Sequence, residues 1–174
     1  MNTILETERL LLREFNPDDT EFILQLLNSP GWLEFIGDRN VKTKEDAANY
    51  LLNGPIKSYT VNGFGLSMVA LKDSGIPIGM CGLIRRATLE HVDIGFAFLP
   101  EFSGNGYAFE IASAVITHAK TELKLKQIVA ITIPTNVRSI KLLNKIGLHF
   151  EKYIKMPGDE EQLMLFSLNH DEDI

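Results

Sequence analysis

The apolar positions of the chain change period several times, and each change marks an element. "ERLLLREF" has strand length and an apolar centre, and "NPDD" after it supplies a turn and an Asp suited to capping a helix. Within residues 18–28, Phe22, Ile23, Leu26 and Leu27 recur at three- and four-residue spacing, which places them on one helical face. Thr43 to Asp46 reads as a capping box for a second helix carrying Ala47, Tyr50 and Leu51. Between these helices "PGWLEFIGDRNV" has no clear period.

The middle third turns to β-formers. "GFGLSMVAL" and "IPIGMCGLI", joined by the turn "KDSG", predict an antiparallel pair, and "HVDIGFAFL" predicts a further strand stopped by Pro100. Residues 107–121 follow as an amphipathic helix with Ala108, Ile111, Ala112, Val115 and Ala119 on one side. "KQIVAITI" reads as a buried strand ending at Pro134, "TNVRSIKLLNKIGL" as a short helix ended by Gly147, and "HFEKYIKM" with "EQLMLFSL" as a last hairpin. This order predicts the α/β class: a single domain over residues 1–174, with a central mixed, largely antiparallel sheet flanked by helices.

Composition narrows what such a domain does. At 174 residues and 45% hydrophobic, the chain can enclose a substantial core. It has no apolar run of about eighteen residues, and "MNTILETERLLLREF" carries acidic residues where a signal peptide needs a basic start, so no export signal is expected. One cysteine, Cys81 in "IGMCGLI", cannot form an internal disulfide and reads as an inert core thiol, which fits a reducing cytoplasm. His91, His118, His149 and His170 share no metal-ligand spacing with one another or with Cys81, so no metal is expected. A net charge of −6 without a dense Lys/Arg block argues against nucleic acid or an anionic membrane as a partner. The same charge draws in a cationic acceptor, and equally serves solubility.

The candidate chemistry begins at "FLPEFSGNGYAFE", residues 98–110. A strand, a glycine turn and a helix start aim unpaired backbone N–H groups at one point, and the helix dipole adds positive potential there, an arrangement that binds phosphate. Tyr107 and Ala108 stand where a Walker-type loop needs Lys and Ser or Thr, and Phe109 stands where a dinucleotide fingerprint needs its third glycine. A turn that only reverses the chain is the alternative.

"IGFAFLPEFSGNGYAFEIASAVITHA" resembles the acetyl-coenzyme A loop of the GNAT superfamily of N-acetyltransferases, whose pattern of Gln or Arg, two residues, Gly, one residue, Gly or Ala is framed here by Ser103, Gly104, Asn105, Gly106, Tyr107 and Ala108. Ser103 departs from the long polar side chain usual at the first position. "NVRSIKLLNKIGL" resembles the family's later block, with Asn136, Ser139, Lys145 and Gly147 in register and Leu148 where Phe is usual. With "ETERLLLREF" and "IPIGMCGLI", the likeness covers nearly the whole chain and is similar to the branch of the ribosomal-protein N-terminal acetyltransferases.

The resemblance implies an acetyl-coenzyme A dependent N-acetyltransferase acting as a monomer or homodimer on a primary amine, a protein N-terminus or a small amine, by direct attack. Main-chain groups of Phe96 and Phe98 would hold the pantetheine arm, amides from Gly104 to Ala108 the pyrophosphate, and Asn136 the arm again. An N-cap role for Asn136 competes with that contact. Asp93 is the candidate base and His91, two residues earlier, its rival; a carboxylate in solvent or in an ion pair is the other reading of Asp93. Leu143 occupies the position of the family's usual Tyr, leaving Ser139 to serve the departing thiolate, against a first-turn Ser bonded to its own backbone. Residues 28–64, with Trp32, Phe35 and Tyr59, are expected to shape the acceptor pocket, with packing the favoured reading of Trp32 and Phe35. The alternative is a non-catalytic acyl-coenzyme A-binding sensor or scaffold.

Overall fold

The computed structural model describes residues 2–168; His170 lies outside them. Eight strands make one sheet: β1 (Thr3–Glu6), β2 (Leu10–Arg13), β3 (Leu66–Leu71), β4 (Pro77–Ile84), β5 (Val92–Phe98), β6 (Ile128–Thr132), β7 (Leu148–Ile154) and β8 (Leu163–Leu168), in the order β1-β2-β3-β4-β5-β6-β8-β7. Every neighbouring pair is antiparallel except β5 and β6. A parallel pair needs a crossover, and the long helix between those two strands supplies it.

Helices cover both faces. On one side lie α1 (Thr20–Leu27), α2 (Pro30–Phe35) and α3 (Lys44–Leu51), whose Phe22, Ile23, Leu26, Leu27, Trp32, Ala47 and Leu51 meet Met68 and Met80 of the sheet. On the other lie α5 (Tyr107–Thr121) and α6 (Val137–Lys145); α4 (Lys57–Asn62) precedes β3. Ile111, Ala112, Val115, Ile116 and Ala119 of α5 and Leu143 of α6 pack on Val69, Ile78, Cys81, Ile94, Ile128 and Phe166. The strand faces therefore alternate between two cores, so β3, β4 and β5 are apolar on both sides.

The structure departs from the sequence pattern in four places. A separate strand, β1, precedes β2, joined by a tight turn in which the Thr7 amide donates to the Leu10 carbonyl at 2.9 Å. "PGWLEF" is helical, with Pro30 at its first turn where a missing N–H costs nothing. The helix from Thr43 does not stop at Pro55: a π-helical turn over Leu52–Ile56 absorbs the proline and hands over to α4, which ends at Gly63 in the left-handed region. Asp19 precedes α1 but caps nothing with its side chain, which accepts from Arg13 Nη1 and Nη2 at 2.8 Å each and from the Asn16 amide. The capping box at Thr43 and Asp46 forms as expected.

Candidate active site

The site begins where the parallel pair parts. β5 and β6 pair only at Val92–Ile128 and Asp93–Val129, yet β5 stays on β4 as far as Phe98 and β6 stays on β8 as far as Thr132. A wedge opens between two strands that each keep their outer neighbour. The Leu99 amide donates to Ile78 of the β4 side at 2.9 Å; because successive residues address opposite edges, the main-chain groups of Ile94, Phe96 and Phe98 face the wedge. The side chains of Phe96 and Phe98 pack into the core beneath α5. Their rings are structural while their backbones remain unspent.

The glycine loop closes the wide end of the wedge. A 3-10 turn over Pro100–Phe102 uses the amides of Phe102 and Ser103, which donate to Leu99 and Pro100 at 3.1 Å. From Gly104 to Phe109, no amide has an acceptor among the described residues. Gly104 and Gly106 lie at φ +82° and +79°, dihedrals that a Cβ disfavours, and Gly106 is the N-cap of α5. The Asn105 amide group reaches back toward the carbonyls of Phe102 and Ser103 at 3.4 Å each, which folds the loop on itself and leaves its N–H groups outward. Ser103 offers its hydroxyl but no amide. Such a row of free donors at a helix start fits a diphosphate, and the open edge of β5 fits an amide-bearing arm.

The second block arrives at the same end because α6 follows β6 as α5 follows β5. Asn136 is the N-cap of α6: its Oδ1 accepts the Ser139 amide at 3.2 Å. The competition expected between capping and ligand binding does not arise, since capping uses the oxygen and leaves Nδ2 as a donor. The Ser139 hydroxyl makes no bond to backbone among the described residues, unlike Thr117 and Thr121, which bond the carbonyl four residues back. Leu143 is 1% exposed in the core.

Asp93 is the last β5 residue paired to β6 before the strands part. It is 1% exposed, and its Oδ1 accepts from Arg86 Nε at 3.1 Å. Burial pushes its carboxyl up to about 6, with Arg86 pulling the other way. Asp93 is an ion-paired carboxylate, and a carboxyl raised this far is compatible with proton transfer near neutral pH. His91 is half-exposed, its Nε2 3.9 Å from Glu90. Cys81 is fully buried with its thiol pushed up to about 12 by desolvation, as an inert core residue requires.

Of the residues expected to shape the acceptor pocket, Tyr59 ties segments of the fold together: its hydroxyl accepts the Phe15 amide at 3.0 Å and donates to the Leu66 carbonyl. Trp32 is 6% exposed in the core, with its indole N–H buried and unpaired among the described residues. Two arginines went unnoticed in the sequence. Arg86 reaches Asp93 from the β4–β5 connection, and Arg9 reaches the glycine loop from the β1–β2 turn. Neither has a spacing signature, because each contact is made by the fold.

Residues 9–149 match the family model described as an acetyltransferase (GNAT) domain. The uncharacterized N-acetyltransferase YnaD of Bacillus subtilis is 28% identical over 151 residues, 87% of this chain and 85% of that protein. A GNAT-family acetyltransferase from Bacillus anthracis superposes with a TM-score of 0.79 at 25% identity, over 97% of this chain and 99% of that one. The fold is also that of RimL, a ribosomal L7/L12 alpha-N-protein acetyltransferase solved in complex with coenzyme A, at a TM-score of 0.80 and 17% identity over 99% of this chain and 100% of that one. The chain belongs to the GNAT family of acetyltransferases and is an N-acetyltransferase.

Proposed function

We propose that the whole chain acts as one acetyl-coenzyme A dependent N-acetyltransferase domain that acetylates a primary amine by direct attack in a ternary complex. The observation that carries this reading is the wedge between β5 and β6, with an unpaired strand edge along one wall, unspent amides from Gly104 to Phe109 at its mouth and Asp93 at its vertex. Bound acetyl-coenzyme A would supply the acetyl group as a thioester: the acceptor's N–C bond forms as the carbonyl π pair moves onto oxygen, and that pair returns as the C–S bond breaks and its electron pair leaves with sulfur. The residues of this chain divide the remaining work. Main-chain groups of Phe96 and Phe98 bind the arm, with Asn136 Nδ2 beside them, and the amides of Gly104, Asn105, Gly106, Tyr107 and Ala108 hold the diphosphate. The Ser103 hydroxyl supplements that cradle.

Asp93 takes the proton from the acceptor amine, directly or through a water, and its raised carboxyl matches that task near neutral pH. The Phe98 N–H donates to the carbonyl oxygen as negative charge develops there. Ser139 donates to the sulfur. The acceptor, a protein N-terminus as in the ribosomal-protein acetyltransferases or a small amine, approaches past the segment 28–64, and the enzyme works in the cytoplasm as a monomer or homodimer.

Release of free thiol from acetyl-coenzyme A, followed across a panel of N-terminal peptides, polyamines and aminoglycosides, tests the reading. At least one class is expected to be turned over. Binding of coenzyme A with no thiol release from any amine would leave the acyl-coenzyme A sensor in its place.

A further inference from the structure

From Leu99 to Ala119 the chain has no Lys or Arg, while Glu101 and Glu110 flank the loop. Beyond Glu101, Asp18, Asp19 and Glu21 line a cavity of about 460 Å³ together with it. Asp19 and Glu21 are already paired with Arg13 and Lys44, so a diphosphate seated on the free amides would draw on backbone dipoles and on cations brought by other elements. Two cations approach this stretch from elsewhere in the sequence: Lys145, whose Nζ lies 4.2 Å from the centroid of the Phe109 ring, and Arg9, which also bonds the loop backbone. Arg9 donates from Nε to Glu110 Oε2 at 2.7 Å and from Nη1 to the Asn105 carbonyl at 3.0 Å, and its guanidinium lies 4.5 Å from the centroid of the Tyr107 ring. The Arg9 amide and the Thr7 hydroxyl donate to the other Glu110 oxygen at 2.9 and 2.6 Å.

This arrangement fixes the guanidinium plane by two hydrogen bonds and one ring, while its third nitrogen, Nη2, has no acceptor among the described residues. Nη2 sits 3.5 Å from the position a Cβ on Gly106 would take, within the stretch of residues whose amides are free. The side chain is 44% exposed there. Glu110 consumes one edge of the fork and orients the other; a lysine has one nitrogen and cannot do both.

We propose that Arg9 is a binding residue for the diphosphate of the donor: it braces the loop through the Asn105 carbonyl and directs Nη2 at the phosphate oxygens, supplying the charged donor that residues 99–119 lack. This rests on the reading of the loop as the diphosphate cradle. A residue from the β1–β2 turn thus completes a site whose other parts lie about a hundred positions later.

Calorimetric titration of coenzyme A and of dephospho-coenzyme A, which keeps the diphosphate but lacks the 3′-phosphate, tests it on the wild type, Arg9→Gln, Arg9→Lys and Gly106→Glu. Loss of one charge-assisted contact predicts that Arg9→Gln weakens both ligands about ten- to a hundredfold, with a shallower dependence of Kd on salt. Arg9→Lys should recover part of the loss. Unchanged affinity in Arg9→Gln, a loss confined to coenzyme A, or a loss with wild-type salt dependence would each overturn the role given to Arg9. Wild-type affinity in Gly106→Glu would overturn the cradle itself.

Discussion

The two faces of the sheet build their halves of the site from different materials. On the α5/α6 face the groups left free are mostly main-chain, the amides from Gly104 onward and the unpaired edge of β5, with one side-chain donor left over by the Asn136 N-cap. On the α1–α3 face the packing is by side chains brought together across long distances, such as Trp32 in the core and Tyr50, whose hydroxyl is raised by burial with Arg39 and Arg86 pulling the other way. A main-chain site suits a ligand that stays the same across a family, and a side-chain site can be recut for each acceptor. The sharpest way to break this contrast is Gly106→Glu. The new side chain must hold φ near +79°, reach Arg9 at 3.5 Å and put a carboxylate among the amides. Coenzyme A binding should fall below detection in calorimetry while the circular dichroism of the fold persists; retained binding would show that the donor is not held by this loop.

Asp93 lies where the two halves meet, and one cause moves activity and stability in opposite directions. Burial raises its carboxyl from 3.8 to about 6. Between those values the folded chain holds a proton that the unfolded chain has lost, so stability is greatest below the unfolded value and falls as pH rises through about 6. The full swing is at most about 3 kcal/mol for a shift of this size. The proposed base role needs the ionised form, so kcat/KM should rise over the same window. Asp93→Asn should lower kcat/KM about a hundredfold or more and abolish the rise centred near pH 6. It should also flatten the stability profile between pH 4 and 6, roughly the interval set by those pKa values. A variant that keeps both the rate and its acid limb would transfer the base role to another group, with His91 the first to test.

What was legible in the sequence follows the same division. Gly104, Gly106, Asn136 and the capping box at Thr43 are local: a dihedral or a bond to a residue two or three positions away demands a residue type, and the pattern announces it. The helix of residues 107–121 was readable to the residue because its apolar stripe is long. Segment 28–64 was not, because Pro30, Gly54 and Pro55 are punctuation in sequence but sit inside helices here, one at a first turn and two within a π-helical turn. The ion pairs of Arg86 with Asp93 and of Arg9 with Glu110 were invisible for another reason. They are set by strand register and by the docking of the β1–β2 turn on α5, and no periodicity encodes either.

The smallest expected effect concerns Ser139, and its size discriminates between two kinds of help. A serine hydroxyl gives up its proton far less readily than a thiol does, so full transfer to the departing sulfur would leave an alkoxide in the site. The leaving thiolate is also a comparatively stable anion, with an ordinary thiol pKa near about 8.5. On the proposed mechanism Ser139 therefore acts as a hydrogen-bond donor whose contact strengthens as charge collects on sulfur. Its side chain is ready for this because Asn136 caps its amide and its hydroxyl is not spent on the preceding turn. A bond of that kind is worth about a factor of ten. Ser139→Ala should lower kcat by roughly that factor while leaving the Kd for coenzyme A and the acid limb from Asp93 in place. An unaltered kcat would remove Ser139 from the chemistry. A loss nearer a thousandfold would mean that the residue carries the proton itself, passed on from a donor behind it.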